Sequence, residues 1–114
     1  MSATATLSAA AEAHLSQTTA GAILVRNSGG YVARFSVTYN LNGHDFTKDS
    51  GDFSLGVNKS IDIPAGATDI RLKVEEMWGF GWSTIFTRTF PEAVTKCYKI
   101  YGTTLDPKHE EISC

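Results

Sequence analysis

Both tryptophans of the chain fall within one six-residue stretch, Met77-Trp78-Gly79-Phe80-Gly81-Trp82, beside a phenylalanine and two glycines. The glycines interrupt any continuous strand pattern, so the stretch reads as a loop with unusually large apolar side chains. Connections normally run over the surface, and large rings in one of them have two uses. They either plug an open end of the core, with their N–H groups bonded, or they form a patch offered to a partner. Indole suits the second use because its ring favours an apolar phase while its N–H stays wet at a membrane–water boundary. The same rings can stack on the face of a sugar.

Other reactive residue types lack the spacing that chemistry requires. His14, His44 and His109 are far apart and none has a second ligand at metal-site spacing, so they are expected on the surface. Asp45, Asp49 and Asp52 flank a turn at a spacing unlike that of a calcium-binding loop and read as a solvated acidic segment. Glu75 and Glu76 are adjacent and would point to opposite sides of a strand, which argues against a paired acid and base. Ser28-Gly29-Gly30 reads as a turn and not as a nucleophile elbow. No catalytic residue, metal site or cofactor is therefore expected, and the chain is read as a non-enzyme.

Those side chains must be positioned by strands. Ile23-Leu24-Val25 begins a strand that stops at Asn27-Ser28-Gly29-Gly30. Tyr31, Ala33, Phe35, Val37 and Tyr39 then point one way, and Val32, Arg34, Ser36 and Thr38 the other. Asn42-Gly43 tolerates the positive φ of a type I′ hairpin turn, so His44 to Thr47 should pair back. Lys48 to Asp52 reads as a polar loop. Phe53 and Leu55 suggest a short strand, Ile61 and Ile63 another, and Pro64 to Ala67 a turn. Ile70, Leu72 and Val74 alternate with Arg71, Lys73 and Glu75. Ser83 to Phe90 and Thr95 to Tyr101 complete about seven strands at sandwich-like spacing. The expected fold is an all-β antiparallel sandwich over residues 20–114, preceded by an extension, residues 1–19, whose alanines after Ser8 allow a short, marginal helix.

A length of 114 residues fits one domain, and 42% apolar residues are enough for a core. The net charge of −2 lacks the basic excess that phosphate contacts need, so nucleic acid is not an expected partner. No apolar run reaches the roughly 20 residues of a bilayer span, and the first residues lack the basic start and apolar stretch of a signal peptide. The expectation is a soluble protein, cytoplasmic or released by a non-classical route, that meets membranes peripherally. Cys97 and Cys114 could close a terminal ring worth about 3 kcal/mol. Two cysteines are also an ordinary number for an intracellular chain, and free thiols are the expected state.

Three stretches resemble the cholesterol-dependent cytolysins, whose C-terminal β-sandwich docks the toxin on membranes. Gly30-Tyr31-Val32-Ala33-Arg34-Phe35-Ser36-Val37 looks like that domain's first long strand. Glu76 to Phe86 lies where the family carries its tryptophan-rich undecapeptide, Glu-Cys-Thr-Gly-Leu-Ala-Trp-Glu-Trp-Trp-Arg. Glu76, Gly79 and Trp82 match it, and Phe80 and Gly81 are mild replacements. Met77 stands for the reactive cysteine, Thr84 and Ile85 for a tryptophan pair, and Phe86 for the arginine that couples binding to pore assembly. Gly102-Thr103-Thr104-Leu105-Asp106-Pro107 departs from the family's Gly-Thr-Thr-Leu-Tyr-Pro only at Asp106. Without the resemblance that segment would read as a turn closing the last strands.

The resemblance, running from about Gly29 to Pro107, implies that Thr104 and Leu105 hold the sterol-recognition role, a hydroxyl beside an apolar side chain. It also implies a docking domain standing apart from the family's upstream pore-forming segments. The expected function is thus a non-catalytic membrane- or lipid-binding module, sterol among the candidate ligands, with Trp78, Phe80, Trp82, Thr104 and Leu105 at the site. Two alternatives are a small lectin-like glycan-binding or defence protein and a homo-oligomeric interaction protein that buries the aromatic loop.

Overall fold

A computed structural model describes residues 18–114. The expected N-terminal helix lies outside them. Among the described residues eight strands form: β1 (Thr19–Asn27), β2 (Ala33–Leu41), β3 (His44–Asp49), β4 (Asn58–Pro64), β5 (Thr68–Trp78), β6 (Gly81–Glu92), β7 (Thr95–Thr103) and β8 (Asp106–Ile112). They build two four-stranded sheets, β4-β1-β7-β8 and β3-β2-β5-β6. The molecule measures 62 × 24 × 24 Å.

Alternation explains the layers. Ile23 and Val25 of β1, Ile61 and Ile63 of β4, and Tyr98 and Ile100 of β7 turn inward from one sheet. Ala33, Phe35, Val37 and Tyr39 of β2, with Ile70, Leu72 and Val74 of β5, face them from the other. Each buried Val, Leu, Ile or Phe contributes about 1.5–3 kcal/mol relative to exposure. The core therefore fixes which face each strand shows, because a one-residue slip would turn the whole set outward.

The all-β sandwich matches the sequence pattern, and four details depart from it. First, β1 and β7 run parallel, Ala22 beside Thr95 through Asn27 beside Ile100, which a reading confined to antiparallel pairing does not contain. Parallel neighbours need a long crossover, here the whole excursion from β2 to β6. Second, the polar segment after Thr47 continues β3 as far as Asp49, whose partner is Ser36 of β2. Third, Phe53 makes a single bridge to Ala33, and Leu55 is exposed in a loop. Fourth, β8 pairs with β7 along Cys97–Thr103.

That last strand overturns the expected free thiols. Register places Cys97 opposite Ile112, so Cys114 follows just beyond the end of β8, and the two form a disulfide with Cα atoms 5.3 Å apart. A spacing of about 5.5 Å is where such bridges close. The Asn42-Gly43 turn is as expected, with φ of 55° and 84° at its two central residues. His44 is exposed as expected, whereas His109 is not a plain surface residue: its ring stacks on Phe86 at 4.1 Å between centroids. Burial, then the nearby Arg88, hold that imidazole below its ordinary pKa.

Candidate functional site

The aromatic stretch is a hairpin tip and not a six-residue loop. β5 and β6 stay paired through Met77 with Trp82 and Trp78 with Gly81, leaving Gly79-Phe80 as a two-residue turn. Gly79 has φ 59°, the left-handed value that a type II′ turn asks of its first central residue. Phe80 follows it, fully exposed. The glycines thus tighten the strand connection where the sequence alone suggested a break.

Register also separates the two indoles. Arg34 lies opposite Glu75 on the outer face of the sheet, with Nε donating to Glu75 Oε1 at 3.1 Å. Met77, two residues on, shares that face, and so does its partner Trp82. The Arg34 guanidinium covers the Trp82 ring at 4.0 Å from its centroid. Trp78 belongs to the opposite face, the one continuous with the core, and half of it remains exposed. The two rings therefore do not make one platform.

A second hairpin carries the threonine–leucine pair. Thr103 pairs with Asp106, so Thr104-Leu105 is again a two-residue turn, and the Asp106 N–H donates to Thr103 Oγ1 at 3.2 Å. Gly102 enters it at φ 87°, and a Cβ there would strike the Asp106 carbonyl oxygen. Glycine is required at that place for both reasons. Leu105 is 80% exposed while Thr104 is half-buried.

Both hairpins leave the same pole. The Gly30 N–H donates to Gly102 O at 3.2 Å, the Tyr31 hydroxyl to Tyr101 O at 2.8 Å, and the Met77 N–H to Val32 O at 2.8 Å. The short link from β1 to β2 therefore joins the base of one hairpin to the base of the other. Residues that the sequence reading left out of the site share this end. Val32 is exposed in the link itself, and Leu55 and Val57 stand in the loop whose Gly56 N–H donates to Asn27 O. Their only signal in the sequence is an apolar residue among turn formers.

Beneath the apolar tip lies a polar base. Asn27 is fully buried, and its Nδ2 donates to Tyr31 O at 2.8 Å and Phe53 O at 3.1 Å while its Oδ1 accepts from the Gly29 N–H at 2.9 Å. One side chain thus ties together the three segments that converge there. Glu76 turns inward at the root of the β5–β6 hairpin, 2% exposed, and its Oε1 has no hydrogen-bond partner. Burial pushes its carboxyl up. The Tyr31 phenol is pushed up to about 12, by burial first and the Glu76 charge second. Glu75, on the other face as expected, is paired with Arg34.

The arrangement presents apolar groups on a stiff, hydrogen-bonded end. Of the five residues expected at the site, Phe80 and Leu105 project from the two turns, Trp78 and Thr104 sit beside them, and Trp82 lies on the outer face under Arg34. Such an end can enter or cover an apolar phase.

Known proteins carry the same domain. A family described as "Thiol-activated cytolysin beta sandwich domain" matches residues 22–108. Tetanolysin of Clostridium tetani is 30% identical over 105 residues, covering 79% of this chain and 20% of its own length. Ivanolysin of Listeria ivanovii is 29% identical over 106 residues, covering 80% of this chain and 20% of its own. The chain thus spans about a fifth of the relatives it matches. A solved structure titled "Structure of the membrane-binding domain of pneumolysin" superposes with TM-score 0.64 at 25% identity, covering 82% of this chain and 96% of that one. On the family match over residues 22–108, the chain belongs to the thiol-activated cytolysin β-sandwich domain family.

Proposed function

We propose that the chain is a non-catalytic membrane-docking module that meets the bilayer with the pole carrying the β5–β6 and β7–β8 turns. The observation that carries this reading is the convergence of Phe80, Leu105, Trp78, Val32, Leu55 and Val57, exposed, at one end of an elongated body. A soluble surface gains nothing from that cluster, whereas a bilayer rewards each buried CH₂ by about 0.8 kcal/mol. The likeness to the membrane-binding domain of pneumolysin points the same way.

Within this reading Thr104 and Leu105 meet a sterol, the hydroxyl facing the sterol 3-OH and the leucine its ring system. The match of Gly102-Thr103-Thr104-Leu105 to the family's motif supports that assignment. The proposal concerns docking alone and makes no statement about pore assembly. Co-sedimentation with phosphatidylcholine vesicles, with and without cholesterol, tests both levels. Binding that rises with cholesterol supports the sterol assignment, equal binding removes it while leaving membrane docking, and no binding to either removes the docking reading.

A further inference from the structure

Behind the apolar tip, the outer face of the β2-β5-β6 sheet changes character in steps. Nearest the turn stand Met77 and Trp82, paired across the hairpin. One step back, Arg34, Glu75 and Thr84 lie side by side, and Ser36 and Lys73 follow. An apolar band thus gives way to a charged one within about 7 Å along the strands.

Arg34 is held in place before any partner arrives. Its Nε donates to Glu75 Oε1 at 3.1 Å, and its guanidinium carbon stands 4.0 Å from the centroid of Trp82. Lys73 Nζ lies 3.7 Å from the other oxygen of Glu75, longer than a hydrogen bond. Two cations therefore share one carboxylate, and the cluster keeps a net positive charge. The carboxylate is also the inner member: Glu75 is 14% exposed, against 33% for Arg34 and 53% for Lys73. Among the described residues the bond to Glu75 is the guanidinium's one hydrogen bond, so its terminal N–H groups are left to solvent.

We infer that Arg34, steadied by Trp82 and assisted by Lys73, binds the phosphate of a phospholipid headgroup. This rests on the tip-first docking reading. A phosphate diester carries a single negative charge and paired oxygens that accept parallel N–H bonds from a guanidinium. Height agrees as well. Glu75, the neighbour of Arg34, precedes Phe80 by about 15 Å of strand. Apolar groups at an interface sink about 5–10 Å past the headgroup–acyl boundary, and the headgroup layer is roughly 5–8 Å thick on each side. With Phe80 at that depth, Arg34 stands at the level of the headgroups. Lys48, beside a cleft of about 550 Å³ between edge strands β3 and β4, has no such place: it lies towards the other pole and already donates to Asp62 O at 3.0 Å. Trp82, which register keeps off the tip, thereby acquires a part in docking by fixing the cation.

The test is co-sedimentation of the full chain with vesicles of phosphatidylcholine or of digalactosyldiacylglycerol, a bilayer lipid without phosphate, at equal cholesterol content. Both surfaces are electrically neutral, so general attraction between charges contributes little to either. Arg34→Gln should lower affinity for phosphatidylcholine roughly tenfold, the loss of a charge-assisted pair of hydrogen bonds, and leave affinity for the galactolipid within about twofold of wild type. Arg34→Lys keeps the charge without the fork and should fall between. Arg26→Gln removes an exposed cation from the opposite sheet and should alter neither. Phe80→Ala should weaken binding to both lipids alike. Arg34→Gln binding phosphatidylcholine as wild type does, losing affinity for both lipids equally, or losing no more than Arg26→Gln would overturn the phosphate site and leave tip docking standing. Failure of the wild type to bind either vesicle would remove docking and this site with it. Arg34-dependent binding of inorganic phosphate, with vesicle affinity indifferent to Arg34, would assign the cations to a free anion and overturn the lipid source.

Discussion

Removing the Phe80 ring should cost membrane affinity and almost nothing else. Phe80 occupies the second position of a two-residue turn and is fully exposed, so no core contact is lost in Phe80→Ala. Surface changes of this kind alter stability by about 0.5 kcal/mol or less. If the ring enters the apolar zone of a bilayer, its transfer contributes about 2 kcal/mol, which corresponds to about a 30-fold fall in the partition constant. Trp78 is half exposed, so about half of its transfer is available and the rest supports the hairpin. Trp78→Ala should therefore lose both affinity and some stability. Vesicle co-sedimentation as a function of lipid, with a thermal melt of each variant, separates the two effects. Phe80→Ala binding phosphatidylcholine–cholesterol vesicles within threefold of wild type would refute the tip-first geometry, as would affinity lost only in proportion to stability.

Three further outcomes follow from the polar base and the terminal bridge. Glu76 has a raised carboxyl pKa, so the fold binds its proton more tightly than the unfolded chain does, and stability from this group declines as pH rises through the folded pKa. Glu76→Gln should abolish that component and raise neutral-pH stability by about 1–2 kcal/mol; urea unfolding at about pH 5 and about pH 8 measures it, and an unchanged pH slope counts against it. Asn27→Ala removes three buried hydrogen bonds and should lower stability by about 3 kcal/mol in the same assay. Replacing Cys97 and Cys114 by serine should cost about 3 kcal/mol, with faster amide exchange concentrated in β8; uniform acceleration would show instead that the tail belongs to the global unfolding unit.

Much of the body was legible because one-sided burial is a local signal. Tyr31 to Tyr39 and Ile70 to Val74 alternate as their inward and outward faces demand, and Asn42-Gly43 announces its turn through two residues that accept positive φ. β8 was not legible. Its sequence, Asp-Pro-Lys-His-Glu-Glu-Ile, has hardly an apolar residue, because it is an edge strand with no fully buried side chain. Its missing register hid the approach of Cys114 to Cys97. At the tip the residue types were visible, but Gly79 and Gly81 read as breaks where the strands in fact stay paired.

The sequence by itself therefore determined the class of fold, the strands with buried faces and the presence of an unusual aromatic cluster. Each of these depends on residues within a few positions of one another. The tertiary structure alone decided that two hairpin turns share a pole, that Trp82 lies under Arg34 while Trp78 faces the other way, that Glu76 is buried with its Oε1 lacking a hydrogen-bond partner, and that a cleft opens between β3 and β4. All four depend on which distant strands become neighbours and in what register, and long-range burial sets that choice with no counterpart in the local pattern.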